Sequence, residues 1–192
     1  MPTRNQAVVD FLATRRSRPA KQFTAPVPDR AQLTEILTLA TRVPDHGKLE
    51  PWRLLVLEKP ALQRLADLAE ARAMELGGDA EKIAKGRGQF DLGQLAVVVI
   101  ASPRPHPKVP HSEQAHSAAA LCMALVTAAE ATGWGACWLT GWTAHDATFA
   151  ARAFGCAVDE TVAGIVHIAT PGSDGVDRPR PDLGRLVTWV GA

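Results

Sequence analysis

Residues Leu95–Ala101 read LAVVVIA, and beyond the proline-punctuated SPRPHPKVP of residues 102–110 lies Ser112–Ala131, SEQAHSAAALCMALVTAAEA. An unbroken apolar run of this length, β-branched at its centre and short of helical length, reads as a buried strand. The alanine-rich stretch favours helix, and Gly133 offers it a stop, so the pattern predicts a long helix over 112–131. Between them Pro103, Pro105, Pro107 and Pro110 keep the backbone extended, in what reads as a mobile loop.

Working outward toward the N-terminus, Val8, Val9, Phe11 and Leu12 give a first amphipathic helix, and Pro19 blocks its continuation past the charged run Arg15–Arg18. Asp29 with Gln32 forms a capping-box pattern. Leu33, Ile36, Leu37 and Ala40 then follow at i, i+3, i+4, i+7 until Arg42, Val43 and Pro44 end that second helix. Trp52–Leu57 is a short β-type run, and Ala61–Leu76 a helix closed by Gly77 and Gly78. On the C-terminal side, Ala136–Leu139 and Val162–Ala169 read as further central strands. Phe149–Phe154 ends a helix at Gly155, and a Pro- and Asp-rich tail finishes in the strand-like Leu186–Val190. Helices and strands alternate without regular βαβ spacing. The reading is therefore an α+β arrangement around a central sheet, in a single domain over residues 1–192. The last segment has few partners of its own, which suggests pairing across a dimer.

Composition narrows function mostly by exclusion. Twenty-one basic against 20 acidic residues leave a net charge of +1, so no broad field favours nucleic acid or an anionic membrane, and any anion site must be local. The longest apolar stretch, Ala118–Ala129, is about 12 residues where a bilayer span needs roughly 20. Arg4, Asn5 and Asp10 sit where a secretory signal needs apolar residues, so the expectation is a cytoplasmic protein. Cys122, Cys137 and Cys156 are odd in number and set among apolar residues, as reduced core thiols are. His106, His111 and His116 recur near the Pro-rich loop, but Glu113 with His116 is a single Glu-x-x-His element and a di-iron bundle needs two, so no metal is expected. His167, inside an apolar strand, reads as a hydrogen-bonded core residue. Gly133-Trp134-Gly135 begins like a dinucleotide fingerprint yet follows a helix and precedes a strand, the reverse of what that fingerprint requires. No G-x-S-x-G, H-E-x-x-H or phosphate loop occurs.

Three patches remain. Arg15-Arg16-Ser17 follows the first helix. Such a run after a helix is usually a solvated face; the functional reading is an anion site in which guanidinium forks and a hydroxyl grip a phosphate. Arg42–Trp52 reads RVPDHGKLEPW, and the neighbouring side chains of Asp45 and His46 are not by themselves a catalytic pair. Gly133–Gly141 reads GWGACWLTG, in which Trp138 and Trp142 serve equally as core aromatics.

In order and spacing these patches resemble the nitroreductase family of flavin enzymes, in the subgroup whose second patch reads R-x-P-D-H. The resemblance implies the nitroreductase-like α+β fold, a mostly antiparallel sheet flanked by helices, and a homodimer with FMN at the subunit interface. It implies that Arg15, Arg16 and Ser17 hold the phosphate and ribityl chain, with Arg180 of the R-P-R-P tail as a last phosphate ligand. Arg42 and His46 would approach the flavin from the partner subunit, where donors suit the ring edge that gathers charge on reduction. Trp138, Leu139 and Thr140 would line the isoalloxazine and ribityl, and Ala128, Ala129, Glu130, Ala131, Thr132 and Gly133 would meet the nicotinamide nucleotide. Glu50 departs from the family's commoner Gln. The implied activity is hydride passage from NAD(P)H through FMN to a nitroaromatic, quinone or similar small acceptor. Enone reductase, dehalogenase and dehydrogenase chemistry on the same scaffold, or flavin binding without steady turnover, remain alternatives. The chain contains no tyrosine, so a phenol cannot be the proton donor and water or substrate-assisted protonation is the expectation.

Overall fold

The structure is a computed structural model and describes residues 2–191. Its elements are α1 (Gln6–Thr14), β1 (Phe23–Thr24), α2 (Arg30–Ala40), β2 (Trp52–Glu58), α3 (Lys59–Glu75), α4 (Ala80–Asp91), β3 (Leu95–Ala101), α5 (His111–Ala131), β4 (Gly135–Leu139), α6 (Gly141–His145), α7 (Ala147–Phe154), β5 (Thr161–Pro171) and α8 (Leu183–Leu186). All strand pairs are antiparallel: β2 with β3, β3 with β5, and both β4 and β1 with β5.

All seven residues of β3 are buried because helices cover both faces of the sheet. On one face Val97, Val99, Val166 and Ile168 pack with Leu33 and Ile36 of α2 and Leu121 and Leu125 of α5. On the other, Ala96, Val98, Ile100 and Ile165 meet Leu62, Leu65 and Ala69 of α3, Phe90 of α4, and Phe149 and Phe154 of α7. The alternation of β3 side chains thus feeds two cores at once. The α2 capping box forms as expected, with Gln32 N donating to Asp29 at 2.9 Å and Asp29 N donating back to Gln32 at 3.0 Å.

Five expectations need correction. Helix α4 went unread because its Lys, Glu, Gly86 and Gly88 spoil the apolar periodicity. Gly86 is there for close packing, since a Cβ would come within 2.5 Å of the Trp142 ring. The Leu186–Val190 segment is not a strand: a one-turn helix ends at Leu186, and among the described residues no strand lies beside it to take its N–H and C=O groups. β4 is marginal, not central. It pairs only with β5, and its outer side is met by Arg18, whose N–H donates to the Ala136 carbonyl at 3.2 Å. The Pro-rich loop is tied down by the buried Gln114. That amide accepts from Arg104 N at 2.8 Å and donates to the carbonyls of Arg104 at 2.9 Å and Val109 at 3.2 Å. Finally, His167 is buried but not hydrogen-bonded: among the described residues neither ring nitrogen has a partner, because its surroundings in mid-sheet are apolar. No helix among the described residues is long and apolar enough to cross a membrane.

Candidate functional site

Helix α1 ends where Arg15 turns extended, and the chain then runs past the outer edge of β4. Ser17 Oγ donates to the Ala136 carbonyl at 3.0 Å, the same oxygen that Arg18 N reaches. This edge pairing aligns three consecutive groups, Arg15 to Ser17, over Cys137 and Leu139, whose side chains point to one face of β4 as alternate strand residues must. The tail returns to close the space. Arg18 Nε donates to the Ser173 carbonyl at 3.0 Å, Arg16 pairs with Asp177, and Arg180 Nη2 reaches the Ala13 carbonyl at 3.4 Å. The result is a cavity of about 470 Å³ walled by Arg15, Arg16, Ser17, Arg18, Pro19, Cys137, Leu139, Val176, Arg178 and Arg180.

Five arginines line this cavity, and two carboxylates pair with members of the set. Glu130, near the end of α5, accepts from Arg15 Nε at 2.7 Å; Asp177 lies against Arg16 and 3.9 Å from Arg180. The Arg178 N–H, assisted by the Arg16 guanidinium, holds the Asp177 carboxyl below its ordinary range. Burial pushes the Cys137 thiol up, so it is an apolar floor element and not a ready nucleophile. An excess of planar cationic forks over an apolar floor suits a ligand with a dianionic phosphate head and a flat or aliphatic body.

The second predicted patch builds a separate place. The Asp45 carboxylate accepts from the N–H groups of Leu49 at 3.0 Å and Glu50 at 2.9 Å, bending a turn in which Gly47, Lys48 and Glu50 all take positive φ. Ser117 on α5 donates to the Pro44 carbonyl at 2.6 Å and receives the Trp52 indole at 3.2 Å. This fixes the turn and presents His46, whose Nδ1 lies 2.8 Å from Glu113, at the mouth of a cavity of about 540 Å³. Arg42 is exposed. No residue lines both this cavity and the arginine cavity.

Of the residues singled out from the sequence, the structure therefore gathers Arg15, Arg16, Ser17, Leu139 and Arg180, and leaves Arg42 and His46 apart. Trp138 faces away from the arginine cavity. Its indole covers Gly164, where a Cβ would fall 2.1 Å from Nε1, and donates to the Ala163 carbonyl at 3.2 Å. Thr140 does not line the arginine cavity, and its carbonyl accepts from Gln89 at 3.1 Å. In the segment 128–133, Ala128 and Ala129 are buried in the core, Glu130 is engaged by Arg15, Thr132 donates back to the Ala128 carbonyl, and Ala131 and Gly133 are exposed. Sequence reasoning did not assign Arg18, Arg178, Cys137 or Val176 to the site. The R-R-S-R and R-P-R-P runs carried a signal for the first two; nothing in the sequence marked the others.

A helix-covered antiparallel sheet with an arginine-lined cavity at its margin suits a small anionic ligand. The chain belongs to the nitroreductase family: residues 12–170 match the model of the Nitroreductase family. It is 32% identical over 163 residues to the "Putative NAD(P)H nitroreductase YdjA" of Escherichia coli strain K12, covering 85% of this chain and 87% of that protein. It is 36% identical over 162 residues to a "Putative NAD(P)H nitroreductase" of Haemophilus influenzae, covering 83% and 86%. Among solved structures it resembles a nitroreductase-like family protein from Bacillus cereus at TM-score 0.77, with 21% identity over 99% of both chains. It also resembles a Desulfovibrio desulfuricans nitroreductase in complex with FMN at TM-score 0.72, with 19% identity over 98% of this chain and 99% of that one. The α+β fold is thus the nitroreductase-like fold.

Proposed function

We propose that this chain is an FMN-dependent oxidoreductase that carries reducing equivalents from NAD(P)H to a nitroaromatic, quinone or similar small acceptor. We read its working form as a homodimer with flavin at each subunit junction. The observation that carries the reading is the five-arginine cradle at the margin of β4 in a chain of this family. The cradle fits FMN on its own chemistry: forked donors for the phosphate, and Cys137 and Leu139 as an apolar floor beside it. When bound, FMN supplies the two-electron chemistry that links nicotinamide oxidation to acceptor reduction.

The chain's own residues then have distinct tasks. Arg15 and Arg180 anchor the phosphate, and Arg16 and Ser17 do so once Arg16 leaves Asp177 and the Ser17 hydroxyl turns from the Ala136 carbonyl. Leu139 and the Thr140 backbone flank the cofactor, and Trp138 contributes backbone at that position. Arg42 and His46 sit outside the cradle of their own chain, as groups serving the partner's flavin must, and they offer donors to its electron-rich edge. Residues 128–133 can approach a nicotinamide nucleotide only through Ala131, Thr132 and Gly133, since the preceding alanines are core. With no tyrosine in the chain, the proton comes from water, directly or with the substrate's assistance. A dimer is favoured by the apolar residues that α1 and the tail leave uncovered in a single chain, Val8, Leu12, Leu186 and Trp189 among them.

The test is direct. Purified protein mixed with FMN and passed through a desalting column should retain a flavin spectrum, which NADH or NADPH bleaches under anaerobic conditions and a nitroaromatic or quinone restores. Protein that emerges colourless removes the cofactor; bound flavin that never bleaches removes the enzyme.

A further inference from the structure

We propose that Glu130 is a positioning residue for the anion site: it holds the Arg15 guanidinium by Nε so that the terminal Nη1/Nη2 fork is presented to the phosphate of the cofactor. The inference rests on the FMN reading above and names how its principal anchor is preorganised.

Arg15 sits immediately after α1, on extended backbone with no helix around it, so nothing in its own element fixes its side chain. Its single side-chain hydrogen bond among the described residues runs from Nε to Glu130 Oε2 at 2.7 Å, and its two terminal amino groups have none. Both members are well covered, the Arg15 side chain to 16% exposure and Glu130 to 5%. A guanidinium has two usable edges. When the Nε edge is taken by a carboxylate, the end-on Nη1/Nη2 fork is the one left for a bidentate contact. Arg15 lines the 470 Å³ cavity and Glu130 does not; the carboxylate instead lines, with Arg15, Arg16 and Arg18, a separate cavity of about 220 Å³, so it holds Arg15 from outside the space assigned to the cofactor.

Glu130 is committed to this one contact. Its other oxygen, Oε1, is buried without a partner among the described residues, so Arg15 is the one hydrogen-bond donor the carboxylate has there. A buried acid tolerated on those terms costs stability, which points to a role beyond holding the fold. Glu130 also sits on a fixed platform: the last turn of α5 is closed by Thr132 Oγ1 donating to the carbonyls of Ala128 and Ala129, and Ala129 is fully buried.

Two effects oppose each other when Glu130 is removed. A free Arg15 must be ordered anew each time the phosphate binds, whereas loss of a nearby negative charge strengthens attraction for the phosphate. The inference requires that ordering wins. The experiment compares FMN with riboflavin, which lacks the phosphate, by flavin fluorescence quenching in wild type, Glu130→Ala and Glu130→Gln. Expected is a drop of about tenfold in the FMN-over-riboflavin preference for Glu130→Ala, with riboflavin affinity held, and recovery of the preference in Glu130→Gln, whose amide oxygen still accepts from Nε. In an Arg15→Ala background, which leaves no guanidinium to position, Glu130→Ala and Glu130→Gln should become equivalent. This comparison avoids leaving a buried carboxylate alone. An unchanged or increased FMN preference in Glu130→Ala overturns the inference, as does a difference between the two replacements that persists without Arg15. Equal loss of FMN and riboflavin marks a merely structural role and overturns it too. Wild-type protein that binds no FMN overturns the functional reading beneath it, a failure visible before any variant is made.

Discussion

His167 carries a full imidazole in the middle of β5, between Ala96 of β3 and Cys137 of β4, with Gly93 so close that a Cβ there would fall 2.8 Å from the ring. None of the neighbours that face it, Leu62, Gly93, Ala96 and Cys137, carries a charge, and burial alone pushes its pKa down to about 4. The unfolded chain therefore takes up the proton first, and stability falls as pH drops from about 6.5 toward 4, by up to about 3 kcal/mol in all. The arginine-paired carboxylates lose their contribution in a lower window. Glu160, held at about 2 mainly by its hydrogen bond from Arg53, protonates well below the histidine's range. Urea midpoints measured from pH 7.5 to 5 should thus decline in the native protein and flatten in His167→Leu; an equal decline in both would assign the slope elsewhere. At the other end of the polarity scale, Asp177 is an exposed carboxylate resting among the arginines where a phosphate would sit. Asp177→Asn should tighten FMN binding while leaving riboflavin unchanged, because it removes an internal competitor for Arg16 and Arg180. Weaker FMN binding in titrations of that variant would show that Asp177 shapes the cradle instead.

Elements differ in how much of their cause is local. α2 was legible because its capping box and its apolar stripe both lie within its own residues, and β3 because seven successive apolar side chains fit only a strand covered on both faces. α4 was not legible. Its reason for existing is that Phe90 packs against Phe149 and Gly86 admits Trp142, partners that distant segments contribute. The arginine-lined cavity was half legible: the R-R-S run brings its arginines and serine together at one cavity, but that Cys137 and not Trp138 lines it follows from the phase of β4, which a five-residue strand does not advertise. The Pro-rich connection between β3 and α5 shows the same limit. Its prolines suggested mobility, whereas the side chain of Gln114, a residue unremarkable in sequence, makes three hydrogen bonds that clasp both ends of the loop. Gln114→Ala should cost about 1 to 3 kcal/mol by leaving Arg104 and Val109 backbone groups unpaired, with the backbone amides of Arg104, His106, Lys108 and Val109 exchanging faster with deuterium. Unaltered exchange there would mean the clasp is idle.

At the scale of the whole molecule, the two predicted halves of the site do not meet. His46 with Glu113 belongs to a cavity bounded by α5, and the arginine cradle to one bounded by β4 and the tail. α1 buries none of its residues although Val8, Val9 and Leu12 are apolar, and the tail leaves Trp189 91% exposed. A lone chain with this much uncovered apolar surface and a divided site is explained economically if a second copy brings its Arg42 and His46 to the first copy's cradle. Cofactor binding and association are then one linked equilibrium: a ligand that touches both chains binds only the dimer well, so it must shift the monomer–dimer balance toward the dimer. Sedimentation velocity on dilution should show a species of twice the 20.5 kDa chain mass persisting to lower protein concentration with saturating FMN than without it. His46→Ala should reduce that difference, since it removes a cross-subunit contact while leaving the arginine cradle in place, and Trp189→Ser should weaken the dimer with or without flavin. An association constant indifferent to FMN would place the whole cofactor within a single chain, and would reassign His46 to the cavity it already lines and Arg42 to the exposed surface.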